Sequence, residues 1–181
     1  MSLRSELETL SPSKLVETLS IRIYEPPLST LRDRLREIAE PLRVPMLVLD
    51  FDTELNMSGM LGFLENSTGL YFPETIEAFE KIGASETVSI LRAIERTLER
   101  HGVTPSGLRA DFAGTQEYQI TTFRDLHGDL GTMPSEVEED AQRLYLYGKP
   151  GTGEEVWSLL EAFVKKNHAG FLTEIERFAG E

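Results

Sequence analysis

Two carboxylates one residue apart close an apolar run. Val44, Met46, Leu47, Val48 and Leu49 lead into Asp50-Phe51-Asp52-Thr53. On a strand, residues i and i+2 share a face. Asp50 and Asp52 would then present two carboxylates side by side on one face. On a helix the same two residues are ordinary polar positions. A second group is the run Glu136-Val137-Glu138-Glu139-Asp140, followed later by Glu154 and Glu155. Carboxylates early in a helix favour its dipole. As a row at roughly phosphate-like spacing, they could also offer a basic groove what a nucleic acid offers it. Asp125 and Asp129 could extend the row. Gly148-Lys149-Pro150-Gly151-Thr152-Gly153 has the composition of a phosphate-binding loop in the wrong order. The Lys comes first and Pro removes an amide, so a helix–helix turn is expected. His101, His127 and His168 are too widely spaced for a metal-ligand pattern, and no metal or cofactor is expected. His101 and His168 fall near expected helix ends, where an imidazolium suits the dipole.

Charge narrows the partner classes. The chain has 181 residues and a net charge of −13. Residues 1–50 carry 7 basic and 8 acidic side chains, whereas residues 51–181 carry 11 and 23. Phosphate backbones bind through Lys and Arg, so this field argues against direct nucleic-acid binding. It attracts a basic protein surface. Acidity for solubility alone is the plainer reading. Cysteine is absent, which excludes disulfides and thiolate catalysis. No apolar run approaches the roughly 20 residues of a membrane span, and Met1–Ser11 holds no apolar leader core, so a cytoplasmic location is expected.

The elements that position these groups read as helices. Ser11-Pro12 starts one that carries Leu15, Val16, Leu19 and Ile23 and stops at Pro26-Pro27. Ser29 or Thr30 starts a second, with Leu31, Leu35, Ile38, Ala39 and Leu42 on one face. From Pro45 to Leu64 the chain is apolar all round, which predicts a helix at the centre of a bundle. Its Ser58, Gly59 and Gly62 would let another backbone come close. A break at Asn66–Gly69 precedes a helix from Pro73 to Ile82, with Gly83 as its cap. Ser85 is expected to cap the next helix, which carries Val88, Leu91, Ile94 and Leu98. Residues 103–117 read as a loop, and 118–126 as a short strand or helix. Ser135 opens the acidic helix, with Val137, Ala141, Leu144 and Tyr145. Val156, Leu159, Leu160, Phe163 and Val164 mark another helix, and Leu172–Phe178 a last one. The expectation is a single all-α domain over 1–181, a bundle of about seven helices.

Two resemblances bear on function. The Asp50-x-Asp52 pattern looks like the nucleophile motif of haloacid-dehalogenase-like phosphatases, a resemblance that implies Asp50 as nucleophile and Asp52 as acid/base, both facing a magnesium ion. It lacks that family's Gly-Thr after the second Asp, and no β–α alternation surrounds it. Helix over Leu47–Asp52 would remove this reading and strand would support it. The stretch Glu54–Gly69, continuing to Ile82-Gly83-Ala84, resembles the signature of a bacterial family of acidic proteins named for a DNA-mimic member. That signature runs Glu-Val-Asn-Asn-Gly-Gly-Phe, an aromatic pair, Asn-Ser-x-Gly, and later Ile-Gly-Ala. Glu54, Asn56, Gly59, Asn66, Ser67, Gly69, Ile82, Gly83 and Ala84 match it, with Phe63 and Leu64 at the aromatic pair. Met57, Ser58, Met60 and Gly62 depart from it, which thins its polar centre.

The resemblance covers residues 54–84 most strongly and extends over about 30–170. It implies an all-α fold and suggests a homodimer, and a non-enzymatic interaction protein is the function expected here. For the namesake, it implies binding to a DNA-binding transcription regulator in place of DNA. The partner-binding residues expected here are Glu136, Glu138, Glu139, Asp140, Glu154 and Glu155. The motif residues Glu54, Asn56 and Asn66 are read as structural, because buried polar groups seek partners at helix ends and turns. A helical domain with a small-ligand pocket around Gly59, Gly62 and Asn66 is the remaining alternative.

Overall fold

The computed structural model describes residues 3–113, 122–144, 146 and 154–179. Among them are ten α-helices: α1 Leu3–Glu8, α2 Pro12–Arg22, α3 Glu40–Glu65, α4 Phe72–Ile82, α5 Ser85–Arg100, α6 Pro105–Ala113, α7 Phe123–His127, α8 Met133–Ala141, α9 Val156–Lys166 and α10 His168–Ala179. Two 3-10 segments, Leu28–Glu37 and Ser67–Tyr71, flank α3. No strand occurs among the described residues. The fold is all-α, as expected, but it is cut into more pieces than the expected seven.

The cuts have local causes. The helix expected from Ser29 or Thr30 through Leu42 is not continuous. Arg34 leaves helical geometry at φ −124°, and Ile38 is extended. Leu31, Leu35 and Ile38 are buried all the same, because the 3-10 turns also bring them to the core. Residues 105–113 form α6 rather than a loop, with Pro105 at its start and Leu108 buried beneath it. The ambiguous 118–126 stretch resolves as helix over Phe123–His127, opened by a capping box between Thr122 and Asp125. Residues 118–121, Tyr145 and the Gly148–Gly153 turn lie outside the described residues.

Helix α3 is central, as its apolar run requires. It packs on α2, α4, α6, α8, α9 and α10. Phe51 meets Phe63 edge-on at 4.9 Å between ring centroids and Phe79 at 5.4 Å, and Phe63 meets Phe72 at 6.0 Å. All four rings are buried, each contributing roughly 1.5–3 kcal/mol. Pro45 lies inside α3 and lacks an amide, so the Pro41 carbonyl one turn earlier loses its helical partner there.

The glycines of α3 work differently from expectation. Gly59 is not a site of close backbone approach, since nothing lies within 4 Å of where its Cβ would stand. It is instead a break, with φ 69° and ψ −177°, a region open essentially to glycine alone. Close approach occurs at Gly69, where a Cβ would lie 2.5 Å from the carbonyl oxygens of Phe63 and Leu64.

Candidate functional site

Asp50 and Asp52 lie in the interior of α3, so the phosphatase reading falls. Asp50 ties α3 to Tyr24 and Arg32 of the preceding segment, and Asp52 bonds Asn56 one turn on in α3. Asp50 Oδ1 accepts from Arg32 Nη2 at 2.7 Å, Arg32 Nε at 3.1 Å and the Tyr24 hydroxyl at 3.0 Å. The Arg32 guanidinium also lies 4.7 Å from the Tyr24 ring centroid. Burial raises the Asp50 carboxyl above its usual range, and the attraction of Arg32 offsets only part of that. Burial likewise pushes the Tyr24 phenol up. Asp52 Oδ1 accepts from Asn56 Nδ2 at 3.0 Å.

The motif residues continue this network. Asn66 Nδ2 donates to Glu54 Oε2 at 2.7 Å, which ties the end of α3 back onto its middle. Glu54 Oε1 lies 3.7 Å from Arg32 Nη2. Asn56 Nδ2 also donates to the Asp52 carbonyl at 2.7 Å. Ser67 and Gly69 form the 3-10 turn that follows. Asn56, Met57, Ser58 and Gly59 are consecutive exposed residues, and Met57 is 78% exposed. A groove of about 360 Å³ opens there, between Leu55, Ser58, Gly59, Met60 and Leu61 on one side and Glu138 and Ala141 of α8 with its cap Gln142 on the other. Gly62 is buried and Asn66 does not line it, so the pocket expected around Gly59, Gly62 and Asn66 is a groove at Gly59 alone.

The acidic residues divide into those engaged within the chain and those free. Glu136 accepts from the Thr132 hydroxyl at 2.6 Å, pairs with Arg100, and lies 3.5 Å from His101 Nε2. The Thr132 hydroxyl first, and the Arg100 charge with it, hold the Glu136 carboxyl below the usual range. Asp140 pairs with Arg143 at 3.3 Å, and Glu155 accepts from the Ser158 hydroxyl at 3.1 Å. Glu154 does not face solvent as a free charge. Its carboxylate accepts from the Glu86 and Thr87 amides at 3.1 and 3.0 Å and caps α5. Ser85, expected as that cap, is the first helical residue instead. Glu138 and Glu139 are exposed and unpaired among the described residues.

Sequence reasoning missed one polar cluster entirely. The His127 ring is sealed from solvent, with Nδ1 3.0 Å from Asp111 Oδ2 and Nε2 2.9 Å from Glu65 Oε2. Phe123 covers the ring at 4.4 Å. The contacts span 16 and 62 residues of chain, so no local pattern could announce them. His168 opens α10 directly after Asn167, the cap of α9, so it stands where the end of one helix meets the start of the next. Among the described residues no group of His, Cys, Asp or Glu could hold a metal ion, and no helix is long and apolar enough to cross a membrane.

Fold and site together define an acidic all-α protein whose polar clusters are mostly committed to its own helix contacts. Residues 36–167 match the family described as DMP19-like protein, and the chain belongs to that family of DNA-mimic proteins. The match lies within the 30–170 region expected from the motif. No curated protein and no solved structure matches the chain.

Proposed function

We propose that this chain is a non-enzymatic interaction protein that occupies the basic, DNA-binding surface of another protein, such as a transcription regulator, in place of DNA. The observation that carries this reading is the exposed, unpaired pair Glu138 and Glu139 on α8, within a chain of net charge −13 that belongs to a DNA-mimic family. Glu136 and Asp140 lie on that helix in partly exposed pairings that a partner's Lys and Arg can replace. Exposed ion pairs are worth little, so exchanging them costs little. Opposite fields speed encounter and fix register, and salt weakens both. A homodimer belongs to the same reading.

The test is capture of partners from a native lysate at low salt, with the complex then challenged by duplex DNA and by salt. A DNA-binding protein released by DNA supports mimicry. Partners indifferent to DNA and salt leave the charge as a solubility feature.

A further inference from the structure

The groove at Gly59 adds an apolar component to a surface so far defined by charge. Its floor is Leu55, Met60 and Leu61, and Gln142 and Glu138 stand on the α8 wall. Leu55 and Leu61 are only partly covered. Glu138 is the one charged residue on the lining and has no partner among the described residues. A second copy of the chain is a poor occupant across a twofold axis. The two Glu138 carboxylates would then approach each other, and each copy brings the same net charge of −13. Charge complementarity instead selects a cationic occupant, and the apolar floor selects one with an aliphatic anchor.

We propose that this groove docks a segment of a basic partner protein in which an aliphatic side chain sits beside a Lys or Arg. The aliphatic group fills the space over Met60 and Leu61, and the cation meets Glu138. This rests on the function proposed above and names where the partner is gripped rather than merely attracted.

Two of the five methionines, Met57 and Met60, flank Gly59, and only Met60 lines the groove. The full chain, labelled with carbon-13 at its methionine methyls, is titrated with two short peptides. Each carries the same lysines, around a central Leu in one and a central Ser in the other. The expected result is a saturable Met60 methyl shift with the Leu peptide and none with the Ser peptide. Glu138→Gln should weaken the Leu peptide roughly threefold, while Glu77→Gln on α4 leaves it unchanged. Equal binding of both peptides with Met60 unmoved overturns the groove while leaving charge mimicry standing. No binding of either peptide also overturns it. A Met60 shift that persists where no DNA-competed partner can be captured supports the groove and sinks the mimicry reading.

Discussion

Glu154 and Thr87 lie 67 residues apart in the chain, yet the Glu154 carboxylate takes both the Thr87 amide, at 3.0 Å, and the Thr87 hydroxyl, at 2.9 Å. An amide at the start of α5 that a local Ser would ordinarily satisfy is thus satisfied from just before α9. Loss of a helix N-cap costs about 1 kcal/mol. Glu154→Ala should therefore lower stability by about 1–2 kcal/mol in urea unfolding, with Glu154→Gln retaining part of it. Glu138→Gln, on the exposed face of α8, should stay within about 0.5 kcal/mol of the parent. Equal effects of the two would remove the distinction between a capping and a free carboxylate.

Glycine is required at two positions for different reasons, and the two should respond differently. Gly59→Ala meets no neighbour but must hold φ 69° and ψ −177°, at a cost of about 1–3 kcal/mol. Gly83→Ala also meets no neighbour, at φ 85° and ψ 20°, in the left-handed region, and should cost about 1 kcal/mol. Thermal melts of both variants check the order. A Gly59→Ala protein as stable as the parent would mean that the break is not held as described.

Two sets of carboxyls should move stability with pH in opposite directions. Asp50 is raised by burial, so the folded state holds its proton more tightly than the unfolded chain does. The stability this confers is present below the ordinary aspartate range and is lost as pH rises through the raised value. Asp50→Asn should therefore improve relative to the parent as pH rises through the raised Asp50 value. Asp125 is lowered by its bonds to the Thr122 hydroxyl and amide, and Glu136 by Thr132 and then Arg100. Their contribution is present above the ordinary carboxylate range and is lost as pH falls through the lowered values. Carboxyl NMR titration reads all three.

Helix α7 is held by the sealed His127 ring, which bridges Glu65 of α3 and Asp111 of α6, and by Phe123, which packs partly buried against the core. His127→Ala leaves Glu65 and Asp111 without their ring partner and should cost about 1–3 kcal/mol. Amide exchange should quicken across Phe123–His127 more than in α4. Unchanged protection there would show that α7 is anchored by something other than the ring.

The helices legible in the sequence were those whose signals are local. Ser11-Pro12 and the spacing of Leu15, Val16 and Leu19 predicted α2, and Val156 to Val164 predicted α9. Gly83 marked the end of α4. What failed rests on contacts between distant residues. Ser85 looked like the cap of α5 because Glu154 cannot be brought beside it by sequence spacing. The Arg34 irregularity leaves Leu31, Leu35 and Ile38 buried, so the apolar pattern reads the same with or without the kink. Of the acidic residues, Glu136, Glu138 and Glu139 look alike as letters. Only the position of Arg100 and Thr132 separates the first from the other two.

The break at Gly59 also governs how α3 can form. Helix growth that begins near Glu40 adds a residue at a time as long as each new amide finds its carbonyl, and it cannot propagate past Gly59. The run Met60–Glu65 must nucleate separately and is too short to persist alone in water. Its helical form is held by the burial of Leu64 and of Phe63, which packs edge-on against Phe51. Its order is therefore a report on tertiary assembly, while the first part of the same helix can form ahead of it.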